Sequence, residues 1–223
     1  MYMRNLYYKI FAFLFLSAAI SGCKLDGDVL PADAVLKSTD SVTTITSEYY
    51  FKGTLNGQTV NWPVTGDING WFTGSGSATS NNAGDITGSL SALITAAKAQ
   101  NPAFEVEFGT FHVLPTDVKS TIFNAFIQPG SFAYGTDNNA IDAKFITISY
   151  TDSQGNFYTS ATGTQTGSTA NVVSVTPVPA GLGTNESLKI KLTFSCTLYP
   201  IIATGTSITL TNAEATVLLE NLL

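Results

Sequence analysis

Arginine and histidine are almost missing from this sequence of 223 residues: Arg4 is the only arginine and His112 the only histidine. The first scarcity argues against nucleic-acid binding and phosphoryl transfer, which need positive potential and lean on the guanidinium fork. The second removes histidine-rich metal sites and would leave any Ser/His/Asp triad resting on His112. Only two cysteines occur, Cys23 and Cys196, too few for a disulfide framework. A chain of this length buries enough surface to fold without one. Neither GxGxxG nor GxxxxGK[ST] is present, and Gly181 and Gly183 read as a turn instead of a phosphate cradle. No repeat of solenoid period is visible, and no apolar run of membrane length follows residue 23.

What fills the chain instead is Ser, Thr, Gly and Asn, with 11% aromatic and only 12% charged residues. That is the composition of an extracellular all-β domain and too apolar for a disordered tail.

The amino terminus carries a separate signal. Arg4 and Lys9 precede an apolar stretch over residues 10–20, which ends in Ile20-Ser21-Gly22-Cys23. The stretch is too short to span a bilayer. This pattern resembles a bacterial lipoprotein signal with its lipobox. The resemblance implies removal of residues 1–22, lipid attachment at Cys23, a tether over 23–45 and a folded domain over 46–223. It also implies a membrane anchor made stable by several acyl chains. Cleavage would leave eight lysines against sixteen carboxylates, a net charge of −8. By the sorting analogy, Lys24 in place of Asp directs the protein to the outer membrane. Leu25-Asp26-Gly27-Asp28 partly resembles the acidic tag of surface-displayed lipoproteins, so the cell surface is expected.

Within the domain, residues 49–64 read as a hairpin centred on Asn56-Gly57, the preferred pair for a turn with two positive φ angles. This register sets Phe51 opposite Trp62 and places the large apolar groups, except Tyr50, on one side. Further strands are expected at 71–79, 104–113, 144–151, 157–162, 170–176, 188–199, 207–210 and 214–220, with turns at 152–156 and Asn212-Ala213. Residues 85–100 read as a strand followed by an irregular segment. A short helix is expected over 117–126, with Val118, Ile122 and Phe126 at four-residue spacing, Thr116 as its cap and Pro129-Gly130 as its stop. These elements predict a single antiparallel β-sandwich, jelly-roll-like, with one short helix.

Candidate chemistry is sparse. Glu105 and Glu107 share one strand face, a poor arrangement for straddling a glycosidic bond. His112 lies beyond Gly109, where a bulge would change its face. Asp137, Asn139 and Asp142 supply hard oxygens in one loop, so calcium is the one cofactor the sequence suggests, as a structural ion. Asp67 and Asn69 are weaker metal candidates. Cys196 falls on the apolar side of the 189–198 alternation and reads as a buried, inert thiol.

Adjacent strand residues face opposite ways, so Trp71 and Phe72 cannot both enter the core. Trp71 is the expected outward, ligand-stacking residue and Phe72 the core one, with Tyr50 and Tyr158 as further ligand candidates and Trp62 as core. The domain resembles uncharacterised β-sandwich lipoproteins of glycan-uptake and other outer-membrane assemblies, by architecture and aromatic content. The expected function is therefore non-enzymatic: binding a surface glycan, or docking as an accessory subunit on an outer-membrane protein complex. A glycoside hydrolase on a jelly-roll scaffold is the alternative.

Overall fold

At the centre of the first hairpin Asn56 and Gly57 take φ angles of 47° and 80°, the doubly positive turn that matches the twist of the flanking strands. The Asn56 side chain also reaches a neighbouring strand, accepting a 2.9 Å hydrogen bond from the Thr209 amide. The computed structural model describes residues 47–66, 70–82, 84–96, 101–135, 145–180, 185–202 and 205–222. The described residues fall in one compact unit, Thr44–Leu223.

Among the described residues, eleven strands and one helix follow in chain order. They are β1 (Tyr50–Leu55), β2 (Gln58–Pro63), β3 (Trp71–Asn82), β4 (Asp85–Ala96), β5 (Ala103–Val113), α1 (Lys119–Phe126), β6 (Gly130–Tyr134), β7 (Phe145–Thr151), β8 (Phe157–Thr159), β9 (Thr169–Val178), β10 (Ser187–Pro200) and β11 (Ile208–Glu220). The described residues form an all-β, sandwich-like fold with one short helix. The strands run β2-β1-β11-β10-β9-β6-β7-β5-β4-β3, and β8 pairs with both β10 and β7. All named pairs are antiparallel except β6 with β7.

The sheet curls so that its first half lies over its second. Across the interior, Phe51 of β1 stacks on Phe104 of β5 with ring centroids 4.3 Å apart. The two ends of the strand order also meet. Val64 bridges Trp71 in parallel, and Ser75 Oγ donates to the Leu218 carbonyl at 3.0 Å while accepting from the Glu220 amide at 2.9 Å. Between the layers sit the inward residues of each strand, among them Leu90, Ile94, Val106, Phe108, Ile148 and, on β10, Leu188, Ile190, Leu192, Phe194, Cys196 and Leu198. Burying such side chains contributes about 1.5–3 kcal/mol apiece.

Two bulges set which faces matter. In β5 the register slips where Gly88 and Leu90 of β4 face Phe111 and Phe108. The extra residue at 109–110 lets both phenylalanines point inward and leaves His112 on the side of Glu105 and Glu107. In β11 the register against both neighbours slips around Asn212, whose φ is 49°.

That second bulge corrects an expectation. Asn212-Ala213 is not a turn between two strands, because β11 runs unbroken from Ile208 to Glu220. An Asn that tolerates positive φ suits a bulge as well as a turn, and pairing with β1 and β10 on both sides keeps the strand intact.

The helix also differs in detail. It begins at Lys119 with Val118 at the capping position and no side-chain cap, so Thr116 does not serve. Instead Asp117 Oδ2 accepts the Leu114 amide at 2.8 Å. Phe123 and Ile127 are the fully buried residues here, while Val118 is exposed. The helix docks through its second half, where Phe126 meets Phe111 edge-on at 5.6 Å. Strand β6, which the apolar alternation did not reveal, is held by its neighbours β9 and β7.

Candidate functional site

The two tryptophans are placed by the junction of β2 and β3. Trp62 is 7% exposed, as expected of a core residue, and lies edge-on to Phe51 at 5.0 Å. Trp71 reverses its expected orientation. It is half-buried and stacked on Trp62 with centroids 4.1 Å apart and planes 8° from parallel, whereas Phe72 is 38% exposed. The bridge from Val64 to Trp71 delivers one indole onto the other, and the stacked contact takes the buried side of β3 in place of Phe72.

The same reversal occurs on β8. Tyr158, opposite Tyr150, packs on the core with its ring 6.1 Å from that of Tyr150, and Phe157 faces out. Burial raises the Tyr150 hydroxyl above its ordinary pKa, and the nearby Asp152 charge adds to it. Tyr50 faces outward, alternating with buried Phe51.

The candidate calcium residues Asp137, Asn139 and Asp142 lie outside the described residues, as do Asp67 and Asn69. Among the described residues no three His, Cys, Asp or Glu side chains come together as a metal site, and no helix is long and apolar enough to cross a membrane. His112 Nε2 is 3.6 Å from Asp85 Oδ2. Glu105 and Glu107 are half-buried and project from the same face of β5. Cys196 is 3% exposed. Burial pushes its thiol up to about 12, with the Tyr134 hydroxyl pulling the other way.

The structure assembles a polar site on the outer face of β1, β11 and β10. Strand alternation sends Tyr50 and Lys52 outward from β1, and the register sets Lys52 and Thr193 on either side of Glu214. Among the described residues, Glu214's donors meet at one oxygen. Oε1 accepts from the Tyr50 hydroxyl and lies 3.2 Å from Lys52 Nζ and 3.4 Å from Lys191 Nζ. Lys52 Nζ also sits 5.3 Å from the centre of the Tyr50 ring, within cation–π range. Partial burial would raise the Glu214 pKa, but the Tyr50 hydroxyl and the two ammoniums outweigh it and hold the carboxyl below its ordinary value.

Beside this cluster the Asn212 bulge opens a hollow of about 290 Å³ lined by Lys52, Thr169, Thr193, Ser195, Asn212 and Glu214. Gly53 allows the local approach of β1 to the bulge, since a Cβ there would lie 3.1 Å from both Cα and Cβ of Ala213. Beside Phe194 and Ala213, the hollow therefore gathers a carboxylate, an ammonium, an amide and three hydroxyls on the sheet.

A second concavity, of about 470 Å³, has a different lining: Asn156, Phe157, Tyr158, Pro200, Ile201 and Ile202, with no charged side chain. Ile201 and Ile202 are 65% and 72% exposed. Asn156 Nδ2 is engaged, donating to Asp152 Oδ2 at 2.8 Å.

Of the sequence candidates, Tyr50 borders the first site and Tyr158, though packed on the core, lines the second; Lys52, Lys191, Asn212 and Glu214 were not among the candidates. The polar sides of β1 and β10 were visible as alternation; their meeting at Glu214 depends on pairings remote in sequence. No family model, curated protein or solved structure matches this chain, so the chemistry of these surfaces carries the functional argument.

Proposed function

We propose that the chain is a non-enzymatic lipoprotein of the bacterial outer membrane, anchored through Cys23, whose β-sandwich binds a glycan at the hollow beside Glu214. The observation that carries this reading is the lining: Lys52, Thr169, Thr193, Ser195, Asn212 and Glu214 surround one concavity. A saccharide presents alternating donors and acceptors, which hydroxyls, an amide and a carboxylate complement. The amino-terminal run to Ile20-Ser21-Gly22-Cys23 supports the anchor. Glu105 and Glu107, two residues apart on one strand, point the same way and are poorly arranged to flank a glycosidic bond, which argues against hydrolysis.

Thr193→Trp would fill the hollow without touching the core. Native protein immobilised in detergent is expected to retain oligosaccharides from a glycan array, and the Thr193→Trp variant to lose them with its thermal melt preserved. Retention of the same glycans by that variant would overturn the assignment. A second reading, docking onto another envelope protein, is favoured by the exposed Ile201 and Ile202 around the uncharged groove. It predicts a co-purifying partner that Ile201→Asp and Ile202→Asp release and Thr193→Trp does not.

A further inference from the structure

We infer that the saccharide taken by this hollow is acidic, carrying carboxylates along its chain; this rests on the glycan reading above and names its ligand class. Four lysines occur among the described residues, Lys52, Lys119, Lys189 and Lys191, and three of them project from the outer face of β1 and β10. The chain carries a net charge of −6, and among the described residues this face concentrates the cationic groups. Carboxylates of the other layer, Glu105 and Glu107 on β5 and Asp85 at the start of β4, stand on the outside of β4 and β5.

Local pairing leaves an excess. Lys189 is matched by Glu48. Lys52 and Lys191 share Glu214, so two ammoniums meet one carboxylate. Glu220 lies six residues farther along β11, about 20 Å away at strand spacing and beyond effective range at ordinary ionic strength. Among the described residues a unit of positive charge therefore remains beside a hollow rich in hydroxyls. Both lysines are partly exposed, each side chain at 40%, so a ligand anion can approach without displacing the protein's own packing. Lysine is a point charge with rotatable donors and suits a carboxylate presented at varied angles along a polymer.

Glu214 makes the inference testable by sign. If an acidic saccharide is the ligand, Glu214 competes with it for the two ammoniums, and Glu214→Gln strengthens binding. If a neutral saccharide is held by the carboxylate, the same change weakens binding.

The experiment measures polygalacturonate, neutral dextran and polyglutamate binding to the detergent-solubilised protein by calorimetry. The expected result is binding of polygalacturonate alone, strengthened by Glu214→Gln. Lys52→Gln with Lys191→Gln should weaken it at least about fivefold, as should raising NaCl from 0.05 to 0.5 M. Dextran binding as tight as polygalacturonate binding, or weakened binding in Glu214→Gln, overturns the acidic ligand while leaving a glycan site. Equal binding of polyglutamate overturns the saccharide reading itself, and binding of none of the three overturns both. Thermal melts of each variant confirm the fold, and Lys52→Arg with Lys191→Arg keeps the charge and should retain polygalacturonate.

Discussion

Truncating each tryptophan to alanine, singly and together, tests the junction that closes the sheet. Trp62 is 7% exposed and touches Phe51 and Trp71, so Trp62→Ala loses a fully packed aromatic and leaves a cavity, at a cost of about 3–5 kcal/mol. Trp71 is half-buried. With about 150–250 Å² for an aromatic side chain and roughly 25 cal/mol per Å², half burial is worth about 2–3 kcal/mol. The stacked pair adds about 0.5–1.5 kcal/mol that neither indole can contribute alone, so the double variant should fall short of the sum of the singles by that amount. In a domain of this size each kcal/mol lowers Tm by roughly 2–4 °C, which puts Trp62→Ala about 6–20 °C below the parent. Urea titrations followed by far-ultraviolet circular dichroism measure all four proteins without relying on tryptophan emission. Trp71→Ala within about 0.5 kcal/mol of the parent, with additive effects in the double variant, would refute the stack and return Trp71 to the solvent side.

Three further outcomes follow from particular contacts. Stability should fall on the alkaline side: the unfolded Cys196 thiol ionises near 9 but the native one only near 12, and Tyr134 is raised in the same direction by burial. This contribution is complete below pH 9 and declines above it by about 1.4 kcal/mol per pH unit for the thiol. Urea midpoints between pH 8 and 10.5 should show the decline, and Cys196→Ala should flatten it. Gly163→Ala should destabilise severely, because φ is 73° there and a Cβ would lie 2.4 Å from the Tyr199 ring; a melt equal to the parent's would contradict that packing. Cys23 should be the first residue of the mature protein and carry lipid, which mass spectrometry of the native amino terminus decides; an unmodified terminus elsewhere removes the anchor.

Local chemistry was legible in the sequence wherever neighbours along the chain decide the outcome. The Asn56-Gly57 turn fixed its hairpin because both residues accept positive φ and two residues leave no slack in register. The alternation over 189–198 placed Cys196 inside, since a strand must turn every second side chain the same way. Gly109 marked the bulge that carries His112 outward. What alternation cannot supply is which of two large neighbours wins the interior. Trp71 and Phe72, and likewise Phe157 and Tyr158, are comparably suited to burial, and the choice fell to the rings on the adjoining strands, Trp62 and Tyr150. Asn212 shows the same limit, because a residue that permits positive φ permits either a turn or a bulge until pairing partners flank it. Glu214 shows it most plainly for function. Tyr50 and Lys52 lie more than 130 residues from Lys191, and only the order β1-β11-β10 sets their side chains around one carboxylate oxygen. Sequence determines what each segment can present; the pairing of distant strands decides what it is presented to, because hydrogen-bond register and packing act between segments the chain does not itself place side by side.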